Sequence, residues 1–200
     1  MARTPHTLGP FIGYHGCDRS VGEAVLGGRT KLRPSVNDYD WLGSGIYFWV
    51  DSGGRGLDWA RELTRRKRAR VKNPYAIGAL IYPGLCLNLT DYGVMSELHN
   101  TYRLLEERIT GARLSMPANT ARSEGVPLYR TLDCAVINLA HQIRSKVGDV
   151  PYDTVYGMFE EGGEVYPGSG FRAKTHVQIA VRNPQCVVGY FRVQELDLAA

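Results

Sequence analysis

Two glycines one residue apart, Gly43 and Gly45, open onto Ile46-Tyr47-Phe48-Trp49, and this stretch constrains the fold more than any other. Neither glycine carries a Cβ, so the backbone there can turn tightly and pass close to a neighbour. The β-branched and aromatic run behind them has the composition of a short buried strand. A flat ring that slides along a backbone and stacks on a tyrosine requires glycine followed by an aromatic residue. A plain glycine turn entering a core strand uses the same letters, so the stretch alone leaves both readings open. Upstream lies a partner stretch, Phe11-Ile12-Gly13-Tyr14-His15-Gly16-Cys17. It reads as a strand over 10–14 that ends at His15-Gly16.

Around these two stretches the pattern predicts strands near both ends of the chain and helices between them. Residues 1–9 are a polar, proline-bearing lead-in. Asp18 or Ser20 is placed to cap a short helix through Leu26, closed by Gly27-Gly28. Residues 29–44 are rich in Pro, Asn, Asp and Gly and read as a long loop, the kind that carries function inside a compact domain. A strand over 45–50 precedes a helix from about 55 to 70. Further strands are expected over 76–82, 85–89, 154–159, 175–181 and 186–191. Two helices, 95–109 and 128–147, flank a weakly patterned connection over 111–126. Long loops occupy 29–44 and 160–174. The class is α+β, in one domain spanning 1–200.

Composition excludes several functions. There is no apolar run of the roughly 20 residues a membrane span needs, and the N-terminus lacks the apolar core of a signal peptide. The four cysteines (Cys17, Cys86, Cys134, Cys186) form no C-x-x-C pair, and the five histidines share no metal-ligand spacing. No metal is expected, and reduced thiols in the cytoplasm are the expectation for location. Nucleotide-binding glycine motifs of the Rossmann and Walker types are missing, as are G-x-S-x-G and H-E-x-x-H.

The net charge is +4, but it is unevenly spread. Arg61, Arg65, Arg66, Lys67, Arg68, Arg70 and Lys72 face a single acid, Glu62. The run suits the negative end of a helix dipole. It also suits a phosphate-tracking surface for nucleic acid. Both readings stand.

Tyr14-His15-Gly16 at a strand end, then Gly43-Ser44-Gly45-Ile46-Tyr47-Phe48, then a helix with Leu57-Asp58-Trp59-Ala60, resembles the NAD-binding core of the ADP-ribosyltransferase superfamily. The likeness is to the diphtheria-toxin and poly(ADP-ribose) polymerase branch, and it spans about residues 11–64 plus the C-terminal strands. It implies a split β-sandwich around an NAD cleft with peripheral helices. It also implies that His15 bonds the adenosine ribose, Gly16 offers backbone groups to the nicotinamide amide, and Tyr47 stacks on the nicotinamide ring. Tyr39, Ser44 and Gly45 would complete the NAD contacts. For each residue a plain packing role is the alternative.

The third family position, a Glu near the start of a late strand, is Gln178 in this chain. Strand alternation puts His176 and Gln178 on one face and Val177, Ile179 and Val181 on the other. Gln178 can orient a ribose hydroxyl but brings no negative charge to a developing cation. An acid from the preceding loop, Glu161 or Glu164, is the substitute that the sequence offers. That loop sits where the family carries its target-recognition loop, with Tyr166, Phe171, Arg172, Glu161 and Glu164, and His176 of the strand behind it, available to an acceptor. The resemblance thus implies a mono-ADP-ribosyltransferase that takes NAD as substrate and passes ADP-ribose to protein or nucleic acid, in the manner of a bacterial toxin. Alternatives are a binding module that has lost catalysis, an NAD glycohydrolase, and an RNA 2′-phosphotransferase-like enzyme.

Overall fold

The computed structural model describes residues 8–66, 69–121 and 127–194. The chain opens with β1 (Phe11–Asp18) and α1 (Arg19–Leu26), then β2 (Ile46–Val50) and α2 (Gly53–Thr64). β3 (Pro74–Ile81), β4 (Cys86–Asn88) and α3 (Met95–Gly111) follow. A two-stranded pair, β5 (Asn119–Ala121) and β6 (Pro127–Arg130), precedes α4 (Thr131–Val147). β7 (Thr154–Phe159), β8 (His176–Val181) and β9 (Val187–Arg192) end the described chain. The class is α+β, as expected.

Several boundaries depart from the sequence reading, each for a local reason. β1 does not stop at His15-Gly16. All eight of its residues pair antiparallel with β3, from Phe11↔Ile81 to Asp18↔Pro74, which carries the strand through both. Asp18 then caps α1, accepting from the Ser20 amide and also from the Lys72 and Asn73 amides. Those bonds, Asn73 foremost, hold its carboxyl below the usual carboxylate range. α2 ends at Thr64 rather than near 70. Between Leu63 and Val71 only the small Ala69 is apolar, and the adjacent cations repel one another on any helical surface. The expected basic helix is thus a helix end at Arg61 followed by non-helical Arg65 and Arg66, while Lys67 and Arg68 lie outside the described residues. Residues 127–130 form β6 instead of the first turn of α4. The turn is instead capped from a distance, the Asn119 side-chain Oδ1 accepting from the Leu132 and Asp133 amides.

Seven strands form one sheet in the order β4-β7-β8-β2-β1-β3-β9, with only β4 and β7 parallel. Val25, Ile46, Phe48, Ile77, Ala79, Ile81, Ile179 and Val181 make one core. Leu42, Leu87, Ile137, Val155, Phe159 and Ala180 make the other, with α4 contributing Ile137. β8 alternates as expected. Ile179 and Val181 enter the first core while His176 and Gln178 lie on the opposite face.

The join between β2 and β1 differs from every other in the sheet. β2 pairs with β8 at four positions and β1 with β3 at eight, but β1 and β2 pair only at Gly13↔Val50 and Tyr14↔Trp49. Beyond Tyr14 and Trp49 the two strands part. A split β-sandwich around a cleft was expected; the seven strands instead form one sheet that opens locally at this join. The facing edges at residues 15–18 and 46–48 have no strand partner across the gap, leaving backbone donors and acceptors unused by the ladder.

Among the described residues no helix is long and apolar enough to cross a membrane. The four cysteines are free thiols.

Candidate active site

The gap between β1 and β2 opens into a cavity of about 400 Å³, lined by His15, Tyr39, Gly45, Tyr47, Gln178, Glu161 and Arg66 among others. That volume falls within the range of small-molecule sites, roughly 300–1,000 Å³. Seven residues singled out from the sequence therefore meet in one place, from β1, β2, β8, the loop before β2, the loop after β7 and the end of α2.

His15 is fixed by the gap itself. Opposed residues of an antiparallel pair share a face, so Tyr14 and Trp49 lie together and His15 lies on the Phe48 side, 5.7 Å from that ring. Its Nδ1–H crosses the parted strands and donates to the Tyr47 carbonyl at 2.8 Å. Burial holds its pKa below the usual histidine value, partly offset by that backbone bond. A neutral ring with Nδ1–H committed has Nε2 as an acceptor.

Tyr47 is pinned just as firmly. Its hydroxyl donates to the Gly43 carbonyl at 2.7 Å and accepts from the Leu42 amide at 2.8 Å. Burial raises its pKa well above the ordinary phenol value. The turn it grips needs glycine at 43, where φ is +72°. Two residues that the sequence did not reveal hold the turn from below. Asn138 accepts from the Ser44 amide at 3.0 Å, and Arg182 donates to the Ser44 carbonyl at 2.8 Å. Both backbone groups of Ser44 are thus engaged within the protein, and Ser44 does not line the cavity.

Gly16 is not on the cavity wall either, and its missing Cβ has a packing cause. A Cβ there would lie 2.1 Å from the Gly56 carbonyl oxygen and 3.2 Å from the Ala60 nitrogen. α2 crosses β1 so closely that only hydrogen fits between them.

Gln178 is buried beside Trp49, its neighbour in register. The His176 Nδ1–H donates to the Lys174 carbonyl at 2.6 Å, so its Nε2 accepts from the Gln178 amide nitrogen at 3.0 Å. This leaves the amide oxygen as the remaining polar end of Gln178. His176 itself is covered by Trp41 and Phe159, and burial lowers its pKa. It positions Gln178 and does not face an acceptor.

The opposite wall is built from charge. Arg55 on α2 donates to Glu161 at 2.8 Å. Lys174 donates to Glu62 at 2.7 Å and lies 3.7 Å from Asp58, and the Glu62 bond raises the lysine's pKa. Trp49, Arg55, Trp59 and Glu62 on this side, and Trp41, Asp40 and Tyr129 elsewhere, line the cavity without having been foreseen. The aromatic residues carried a weak sequence signal, since Trp59 sits in the motif helix and Trp49 continues the motif strand.

Of the acceptor candidates, Glu161 reaches the cavity and the rest do not. Tyr166 and Phe171 are 57% and 71% exposed on the outer part of the loop. Arg172 is half-buried there, and Glu164 accepts from the Gly168 amide. No group of three or more His, Cys, Asp or Glu is placed to hold a metal among the described residues. Scans against family models, curated proteins and solved structures each return no match to the chain.

Proposed function

We propose that the chain is a mono-ADP-ribosyltransferase that binds NAD in the β1–β2 cavity, releases nicotinamide and transfers ADP-ribose to a macromolecule. The observation that carries this reading is the strand-parted cavity in which His15, Tyr47 and Gln178 meet. The oxidised nicotinamide ring is flat and cationic, and tyrosine and tryptophan faces attract such a ring. Tyr47 is already oriented by two hydrogen bonds, so stacking on it orders little that is not already ordered. The neutral His15 would accept from a ribose hydroxyl through Nε2.

Transfer breaks the bond between C1′ of the ribose and the nicotinamide nitrogen. The electron pair stays with nicotinamide, C1′ becomes cation-like, and the acceptor's lone pair closes on it as its proton is lost. Gln178 would bond a hydroxyl of the same ribose and hold C1′ in place.

The test has two parts. Calorimetry with NAD should give binding that weakens several-fold or more on Tyr47→Ala, since a stacked ring is worth on the order of 1 kcal/mol beyond its burial. Labelled NAD offered with separate protein, DNA and RNA pools should then mark one of them. A folded protein with no heat at millimolar NAD rejects the reading. Nicotinamide release without labelled macromolecule would make the acceptor water.

A further inference from the structure

The cavity contains an acid that the late strand does not supply. We propose that Glu161 provides the negative charge for the transfer reaction, in place of the carboxylate that Gln178 lacks, and that Arg55 positions it. This inference rests on the reading above and names a further residue within it.

Glu161 and Gln178 line the same cavity from adjacent elements, the loop after β7 and the body of β8. The Glu161 side chain is only 16% exposed. A carboxylate that far from water exerts more of its charge on what lies beside it than a surface one does. Glu164, the other acid of this loop, is spent on the Gly168 amide and lies off the cavity.

Arg55 is an unusual partner. Its side chain is 9% exposed, and its Nε and Nη1 make no hydrogen bond. Its Nη2 alone is committed, to Glu161 at 2.8 Å. Nη1 lies 3.5 Å from Asp58 and 3.7 Å from Glu62, close enough for attraction but outside hydrogen-bond geometry. A buried guanidinium with two unbonded edges is costly unless something holds it in place. Packing against the Trp49 indole at 5.8 Å and bonding to Glu161 are what hold it.

Of the acids on the cavity wall, Asp40 accepts from Asn37 and Glu62 from Lys174, while Glu161 is paired with the buried Arg55. His176, 3.8 Å from Glu161, is kept neutral by burial and adds nothing. Arg33 and Arg66 also reach the cavity but are exposed, where water and salt screen them. Glu161 therefore brings a negative charge that is withdrawn from water and held by Arg55 before reaction. As the C1′–nicotinamide bond breaks, that charge faces the ribosyl cation. As the acceptor attacks, Glu161 receives its proton and passes it to solvent.

The experiment follows nicotinamide release and NAD binding side by side in the full chain. Glu161→Gln should lower turnover by about a hundredfold, as removal of a charge-matched group commonly does, while NAD affinity changes less than threefold. Glu161→Asp should retain more turnover than Glu161→Gln. The decisive variant restores the charge elsewhere: Gln178→Glu added to Glu161→Gln should recover at least tenfold. Thermal melting of each variant separates lost chemistry from lost fold. Wild-type turnover in Glu161→Gln, or a loss on Glu164→Gln in its place, overturns the assignment while leaving the NAD reading intact. Failure of the unmodified protein to bind NAD overturns both.

Discussion

The two walls of the cavity are held by different forces. On the β1–β2 side each functional group is tied to nearby backbone: His15 to the Tyr47 carbonyl, and Tyr47 to Gly43 and Leu42. On the α2 side the groups are tied to one another as ions, Arg55 to Glu161 and Lys174 to Glu62. The first arrangement fixes position; the second fixes charge. A ring-stacking and hydroxyl-reading surface needs the former, and a surface that meets a developing cation needs the latter.

The same contrast decides what was legible in the sequence. The partners in the first wall are close in the chain or in paired strands, and their chemistry is written as glycine, aromatic and histidine at fixed spacing. In the second wall Arg55 and Glu161 are 106 positions apart, and Lys174 and Glu62 are 112 apart. Nothing local marks such pairs, so Arg55 read as an unremarkable helix residue. Glu161 and Glu164 could not be separated until the loop was folded. The splayed join between β1 and β2 was invisible for the same reason. Strand composition predicts a strand, but not where two strands stop pairing. Gly16 is glycine for a cause the sequence did not show, because close crossing by α2 demands it regardless of any ligand.

The largest effect should come from that crossing. Gly16→Val puts a branched side chain where a Cβ already meets helix backbone at 2.1 Å. Backbone cannot rotate away as a side chain can, so the cost should be about 3 kcal/mol or more. Urea unfolding measures it. A midpoint close to that of the wild type would mean that α2 moves aside easily, and that the second wall is not rigidly seated on the first.

Acid should act next, through the support beneath the first wall. α4 carries Asn138, which holds the 43–45 turn, and one turn further His141, which is 3% exposed with neither ring nitrogen hydrogen-bonded. Burial foremost, then Arg182 and Arg144, push the His141 pKa down to about 3. Unfolded, the ring titrates near 6.5. Between these values the unfolded state binds the extra proton, so stability falls as pH falls below about 6.5, by up to about 1.4 kcal/mol per pH unit. From pH 7 to pH 4 the loss should reach about 2–3 kcal/mol. His15 and His176, also held low by burial, contribute in the same direction. His141→Phe should flatten the profile in that window. A profile equally steep in the variant would assign the acid sensitivity to other groups, His15 and His176 first among them.

The smallest effect on stability, and the sharpest on partner choice, belongs to the outer side of the second wall. Arg61, Arg65 and Arg66 cluster where α2 ends, all exposed. Arg66 lies 5.0 Å over Trp59, which itself lines the cavity. Exposed charges add little to folding, so reversing the three to Glu should move stability by less than about 1 kcal/mol. If the acceptor is a nucleic acid, these cations displace counterions from its phosphates. Log affinity should then fall with log salt by about 0.7–0.9 for each phosphate neutralised. The triple reversal should flatten that slope by roughly two to three units in binding titrations across a salt series, while calorimetric NAD affinity changes little. An unchanged slope would mean that the end of α2 does no more than face solvent. The acceptor would then have to be sought on the other rim, where Tyr166 and Phe171 stand exposed. A flattened slope together with weakened NAD binding would show that Arg66 belongs to the cavity as much as to the surface. The two walls would then be coupled through Trp59 rather than independent.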